Sequence, residues 1–345
     1  MMMKLEETFM HFLLEHQERH KRTLNFLILM ENILAAAKYV QHNYKTAALH
    51  GNLDRAGNIN VQGEVQMRLD LMSHEIMMHY LSESKQVVEA VSEEVTEEIT
   101  LNENGRYFIY FDPLDGSSNV RHSLPVGILF GIAKRNFDGP EDYHLRKGCE
   151  FIAAGMFLIP TGVFTFALKD AGTWRFIQDQ SGNYIRPTKI MIPNNPKNFE
   201  LSWNSSNRHT FSDQVQKWIL DNEKDFKFRY AGSLAVDFHR LLDNGGMFMY
   251  PAIVNHPIAG KNRPQGKLRL LYECAVTALI VREAGGIAID ENGQDILSVQ
   301  PVNRHQRSAL YIGSREVVRS VREALTGKPA FEKPEDNGER VGEEE

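Results

Sequence analysis

The tightest constraint on the fold is a run of five residues, Tyr107-Phe108-Ile109-Tyr110-Phe111, followed at once by Asp112-Pro113. Aromatic and β-branched residues without polar alternation read as a strand buried on both faces, which calls for a layered α/β architecture. Proline has no N–H to give to a ladder, so the strand is expected to stop there and present a carboxylate at its end. The continuation, Leu114-Asp115-Gly116-Ser117-Ser118, adds a second carboxylate and a glycine that eases the turn.

Val126 to Ala133, Phe151 to Ile159 and Val163 to Leu168 are further strand segments with Gly or Pro at their boundaries. Trp174 to Gln178 and Tyr184 to Arg186 flank Gln180-Ser181-Gly182-Asn183 as a hairpin. Ahead of them, Leu24 to Val40 is a helix pattern apolar on more than one face. Residues 47–63, with glycines at 51, 57 and 63, read as a mobile loop, and a second helix is expected over Val65 to Glu83.

Ile192-Pro193-Asn194-Asn195-Pro196 is the clearest break. Beyond it, strands at Leu201 to Trp203, near Phe228, at Met247 to Tyr250, Ile287 to Ile289 and Leu310 to Ile312 alternate with helices. Those helices begin near Ser212, at Leu234 and at Leu270, the last of these running to Ala284, and one more closes the chain. The expected organisation is an N-terminal domain over 1–195, a C-terminal α/β domain over 196–328, and an acidic disordered tail over 329–345. Together they predict a two-domain layered α-β-α-β-α sandwich.

Composition excludes several classes. The net charge of −6 is concentrated in Glu332 to Glu345, where seven acidic side chains face two basic ones, so the folded body is nearly neutral. Without a concentrated basic face, nucleic acid is not an expected partner. No run of eighteen apolar residues spans a membrane, and Met1 to Arg22 is too charged for a signal peptide. Two cysteines, Cys149 and Cys274, read as reduced thiols, and a cytoplasmic location is expected. The histidines lack zinc spacing, and Gly260 to Lys267 lacks the Ser or Thr of a P-loop.

The strand-end segment carries the chemistry. Asp112, Asp115 and the Leu114 carbonyl are hard oxygen ligands that suit Mg²⁺ rather than Zn²⁺. The amides of Gly116, Ser117 and Ser118, with two hydroxyls, offer donors to a phosphate. A cation site beside an anion cradle is what phosphoryl transfer requires. Alone, though, an Asp-Pro-x-Asp-Gly is as often a capped turn. Alone, too, Glu93-Glu94 reads as a solvated face, and Asp70 and Glu273 as surface acids of helices.

Phe111 to Asn119 resembles the signature of class I fructose-1,6-bisphosphatase, within a superfamily of lithium-sensitive, magnesium-dependent phosphatases that includes inositol monophosphatase. The likeness recurs in Val91-Ser-Glu-Glu94, in Arg229-Tyr-Ala-Gly-Ser233 through Asp237-Phe-His-Arg240, and in Gly246-Met-Phe-Met-Tyr-Pro251. It continues in Gly266-Lys-Leu-Arg-Leu-Leu-Tyr-Glu-Cys274, Glu283-Ala-Gly-Gly286 and His305-Gln-Arg307, in the family's order over roughly residues 24–325.

The resemblance implies that Glu93, Glu94, Asp112, Asp115 and Glu273, with the Leu114 carbonyl, hold two or three Mg²⁺ ions, Mn²⁺ being a substitute. It implies that Asp70 and Glu94 act together on the attacking water. Asp115, Gly116, Ser117, Ser118, Asn204, Tyr230, Gly232, Ser233, Leu234, Tyr250, Lys267 and Arg269 would bind the substrate, a sugar bisphosphate. Arg229 would reach a neighbouring subunit's site in a homotetramer or homodimer. The implied reaction is hydrolysis of fructose 1,6-bisphosphate to fructose 6-phosphate and phosphate, as in gluconeogenesis. Read from the residues, Ser233 is equally a helix N-cap.

The chain also departs from the family pattern. Asn204-Ser205-Ser206-Asn207 stands where many members have Asn-Glu-Gly-Tyr, so one tyrosine contact to the distal phosphate is missing. Glu64 replaces Asp in the family's dynamic loop, Arg121 stands where an acid is usual, and Ala275-Val276-Thr277 replaces a common Asn-Pro-Met. Val254 to Gly266 is longer than usual and carries Lys261 and Arg263. Glu18 to Thr23 has lost the animal AMP-binding pattern, and no cysteine-bearing insertion supports a plastid-type redox switch. These departures keep sedoheptulose-1,7-bisphosphatase open, alone or as a second activity. A non-catalytic phosphosugar-binding protein is the distant alternative.

Overall fold

The structure is a computed structural model that describes residues 6–20, 23–47, 55–59, 65–95, 99–136, 145–194 and 199–328. The N-terminal helices are α1 (Phe9–His20) and α2 (Leu24–Thr46); a short ribbon of β1 (Arg55–Ile59) and β2 (Val65–Met67) precedes α3 (Arg68–Glu83). The main sheet is built from β3 (Val87–Ser92), β4 (Ile99–Thr100), β5 (Tyr107–Asp115), β6 (Val126–Lys134), β7 (Phe151–Ile159), β8 (Val163–Leu168), β9 (Gly172–Gln178) and β10 (Tyr184–Ile190). Its order is β10-β9-β8-β7-β6-β5-β3-β4, antiparallel except where β3 runs parallel to β5.

The second sheet contains β11 (Glu200–Ser202), β12 (Lys227–Phe228), β13 (Gly246–Tyr250), β15 (Ile287–Ile289) and β17 (Leu310–Gly313), in the order β12-β11-β13-β17-β15. A two-stranded ribbon joins β14 (Leu268–Arg269) to β16 (Arg307–Ser308). The remaining helices are α4 (Asp213–Asn222), α5 (Leu234–Asn244), α6 (Ala275–Glu283) and α7 (Arg315–Thr326). Among the described residues, no helix is long and apolar enough to cross a membrane.

Side-chain alternation along the strands sets the layers. Tyr107, Ile109 and Phe111 of β5 pack with α1, α2 and α3 in one core, whereas Phe108 and Tyr110 pack into another with α5 and α6. That second core is closed from the far side by Phe248 of β13 and by Leu310 and Ile312 of β17. The opposite faces of those strands, through Met247, Met249 and Tyr311, cover α4 and α7. The result is the expected stack of helices, sheet, helices, sheet and helices, with α5 and α6 between the sheets.

Four local features differ from the sequence expectation. The strand does not stop at Pro113: β5 continues to Asp115, with Asp112 opposite Leu129 and Asp115 opposite Gly127. Three residues of β5 thus match two of β6, and the bulge absorbs the proline's missing donor. Residues 55–59, within the expected mobile loop, form β1 through backbone pairing with Val65–Met67, so α3 starts at Arg68 rather than Val65. Residues 48–54, 60–64 and the acidic tail lie outside the described residues. The expected single helix from Leu270 instead opens with a π turn over Leu270–Cys274 before α6 begins. Finally, α1 is an element the sequence reading did not anticipate.

Candidate active site

A cleft of about 460 Å³ opens where the end of β5, the start of α5, the π turn and the end of β13 converge. Its lining contains every candidate residue named from the sequence except Arg229. Two apolar residues missed by that reading, Phe248 and Leu268, also line it. Arg229 is exposed, and its guanidinium donates to the Phe228 carbonyl at 2.8 Å.

The acids reach the cleft from separate elements. Asp70 lies in the first turn of α3 and is buried, not on the helix surface. Glu93 and Glu94 follow the end of β3; Glu94 is buried and Glu93 half-buried, unlike the solvated pair their adjacency suggests. Asp112 and Asp115 come from the bulged end of β5. The Asp112 Oδ1 accepts the Leu114 N–H at 2.8 Å, which fixes the turn between them. Glu273 projects from the π turn, where its Oε2 accepts the Arg269 N–H at 2.6 Å. A π turn inserts one extra residue per turn and so re-aims its side chains, a device frequent at functional sites.

Asp115 is fastened to the start of α5. Its Oδ2 accepts Ser233 Oγ–H at 2.6 Å and Ala235 N–H at 2.8 Å, and Oδ1 accepts Leu234 N–H at 3.2 Å. Ser233 is also the helix N-cap, accepting the Val236 N–H at 3.3 Å. This approach requires glycine at two places. A Cβ on Gly116 (φ 81°) would lie 2.4 Å from Ser233 Cβ, and one on Gly127 would lie 2.2 Å from Ala235 Cβ. The loop before α5 is held from behind. Buried Asp237 accepts the Ala231 N–H with both oxygens at 2.9 Å, and Asn119 donates to the Ala231 carbonyl at 3.1 Å. Asp237 and Asn119 both lie inside the family-like segments, but nothing in their spacing reveals this supporting role.

Among the described residues, Asp112, Asp115 and Glu273 form a group whose ligand oxygens all lie within 4.8 Å of one another, each residue buried. Burial, reinforced by Glu93, Asp115 and Glu273, pushes the Asp112 carboxyl well above the ordinary carboxylate range. Burial and then Glu93 do the same to Glu273, with Arg269 pulling the other way. Burial also raises Asp115, opposed by its hydrogen bonds from α5. Carboxylates crowded in this way repel one another unless a cation neutralises them. The donors are all hard oxygens, without His or Cys, so the cluster fits a hard divalent cation.

The rest of the lining is of different character. Lys267 and Arg269 from the β14 segment, Tyr250 from the end of β13, and Tyr230 and Asn204 from loops surround the remainder of the cleft. Arg269 is buried, and its guanidinium donates to the Lys267 carbonyl. Burial, then Tyr250, Asp237 and Asp115, keep the Tyr230 hydroxyl protonated well above its usual range, as a donor. Acids that suit a cation therefore share one cleft of a layered α/β fold with cations and hydroxyls that suit an anion. That combination defines a class, the metal-dependent phosphatases of phosphorylated small molecules.

Comparison with known proteins supplies the family. The family model for the fructose-1-6-bisphosphatase N-terminal domain matches residues 7–189, and that for the C-terminal domain matches residues 192–326. The chain is 57% identical to fructose-1,6-bisphosphatase class 1 of Syntrophus aciditrophicus, over 92% of this chain and 97% of the relative. It is 35% identical to the class 1 enzyme of Persephonella marina, over 91% and 97% of the two chains. Holo fructose-1,6-bisphosphatase of Leishmania major superposes with a TM-score of 0.84 at 30% identity, covering 94% of this chain and all of that one. The T-state structure of the same enzyme gives a TM-score of 0.78 at 29% identity, covering 93% and 99%. The chain belongs to the class 1 fructose-1,6-bisphosphatase family, and it is a phosphatase.

Proposed function

We propose that the chain hydrolyses the 1-phosphate of fructose 1,6-bisphosphate, with the roles of its residues assigned as follows. The observation that supports this most directly is the group of buried Asp112, Asp115 and Glu273 sharing one cleft with Lys267, Arg269 and Tyr250. Glu93, Glu94, Asp112, Asp115 and Glu273, with the Leu114 carbonyl, hold two or three Mg²⁺ ions. When bound, Mg²⁺ neutralises charge on the phosphoryl group and acidifies water near it. Asp70 and Glu94 take the proton from the attacking water.

The amides and hydroxyls of Gly116, Ser117 and Ser118 donate to the phosphoryl oxygens, where charge develops. Lys267, Arg269, Tyr230, Tyr250 and Asn204 hold the phosphate that is not cleaved, and so orient the sugar. Gly232, Ser233 and Leu234 lie along the sugar. Arg229, which is exposed and outside the lining of its own cleft, serves a neighbouring subunit in a homotetramer or homodimer working in the cytoplasm.

Phosphate release in Mg²⁺ from fructose 1,6-bisphosphate, sedoheptulose 1,7-bisphosphate and monophosphate esters tests this. The fructose ester is expected to give the highest kcat/KM. Faster turnover of the seven-carbon ester would overturn the sugar assignment, and binding without turnover would make the chain a phosphosugar-binding protein.

A further inference from the structure

Asp70, the Glu93-Glu94 pair and Asp112 reach the cleft from α3, β3 and β5, and a single side chain behind the cleft touches all of these elements. His74 lies one helical turn after Asp70 on α3, and residues four apart share a helix face. Its Nδ1 is 2.8 Å from Ser92 Oγ, and the same Oγ accepts the Glu94 N–H at 3.3 Å. The imidazole also stacks on Phe111, the residue before Asp112, with ring centres 6.0 Å apart and planes 12° from parallel. His74 is 9% exposed and is not part of the cleft lining, so it does not meet substrate.

The bend after β3 is already tied to β5 on its own sheet: Ser92 pairs with Phe111, and the Glu93 N–H donates to the Phe111 carbonyl at 3.2 Å. Those bonds fix the bend relative to Asp112. They do not fix it relative to α3, where Asp70 sits. Ser92 Oγ is the acceptor that orients the Glu94 amide, and His74 Nδ1 is the hydrogen-bond partner of that hydroxyl.

We propose that His74 is a positioning residue, which through Ser92 holds Glu94 in register with Asp70 so that both carboxylates address the same water. This rests on the reading of Asp70 and Glu94 as the base pair. Displacements of about 1 Å at reacting groups cost on the order of a hundredfold in rate, so the effect should fall on kcat.

The chemistry of the contact gives a sharp test. An asparagine amide can put a polar atom where imidazole Nδ1 sits, whereas a glutamine amide reaches toward Nε2 while filling more of the space. Hydrolysis of fructose 1,6-bisphosphate at saturating Mg²⁺ is measured for His74→Asn, His74→Gln, His74→Ala, Ser92→Ala and the His74→Ala/Ser92→Ala double variant, each with a melting curve to confirm folding. His74→Asn is expected to keep kcat within about threefold, while the Gln and Ala variants lose at least about tenfold with KM nearly unchanged. The double variant should lose no more than the worse single one, as for residues acting through one contact.

Equal kcat in the folded Asn and Gln variants would overturn the proposal, as would a loss confined to KM or additive losses in the double variant. Asp70→Asn and Glu94→Gln, assayed alongside, separate the two readings. If they keep wild-type kcat, the base assignment falls and the His74 role falls with it. If they lose it while His74→Gln does not, the His74 role fails and the base assignment stands.

Discussion

Asp112 and Asp115 are three residues apart, yet the protein holds them in opposite ways. Asp115 accepts three hydrogen bonds from the start of α5, and an asparagine there would turn its NH₂ toward backbone N–H donors. Asp112 accepts one, from the Leu114 N–H, which an asparagine oxygen can still take, and it is crowded by Glu93, Asp115 and Glu273. Both Asp→Asn changes should abolish turnover. Only Asp115→Asn should also cost stability, about 1–3 kcal/mol for the unsatisfied buried donors. Metal-free Asp112→Asn should be as stable as the parent or more so, since a repelling charge is gone. Urea titrations of the two chelated variants check this, and equal midpoints would refute it. At this scale the sequence was informative about which residues matter, because the strand end and the family-like segments name them. It was silent on support. His74 and Asn119 act through contacts between distant elements, Asp237 ties down the loop that enters its own helix, and Phe248 and Leu268 look like ordinary core until the cleft opens beside them.

The element that couples the site to the rest of the fold is α5. Its first turn grips Asp115, and its middle carries His239, packed near Arg175 of β9, which in turn pairs with Asp243 at 2.7 Å. Burial first, then the positive charges of Arg175 and Arg240, push the His239 imidazole down to about 4, with Asp243 opposing them. The folded value is depressed, so between the ordinary imidazole value of 6.5 and about 4 the unfolded chain binds a proton that the native state refuses. Stability is therefore full above that window and falls as the pH drops through it. The loss is about 2 kcal/mol once partial exposure is discounted. His239→Gln should flatten the urea midpoint across the window, and a variant with the parent's slope would exclude His239 as the source. Elements with strong local patterns, such as β6, β7 and β8, were legible because both faces of each strand are apolar. The bulge in β5 was not, since the rule that proline ends a strand ignores the gap a bulge leaves in the ladder. Nor was the π turn over Leu270–Cys274, since its residue types read as the start of an ordinary helix. For α1 the sequence does carry a signal, in the buried Phe9, Phe12 and Leu13 at helical spacing.

At the scale of the whole molecule, the cleft lies where the two sheets share their helices. Asp112 and Asp115 belong to the larger sheet, Glu273 to the turn leading into α6, and Tyr250, Lys267 and Arg269 to β13 and the segment before that turn. The core between the sheets draws on β5, β6 and β7 from one side and on β13 and β17 from the other, so unfolding either sheet would expose the other's apolar face. Although separate family models match residues 7–189 and 192–326, the two parts should therefore melt in one cooperative transition. Divalent metal should strengthen that transition, because it binds carboxylates that are brought together only in the folded chain. At a hundredfold excess over its Kd, Mg²⁺ would add about 2.7 kcal/mol, or roughly 4 °C for a chain of this size. Scanning calorimetry with chelator and then with Mg²⁺ measures both effects. Glu273→Gln should lose most of the Mg²⁺ shift without lowering the metal-free melting temperature, since a repelling carboxylate has been removed. Two resolved transitions would show that the shared core does not bind the sheets into one unit, and a full shift in Glu273→Gln would remove Glu273 from the metal's ligands.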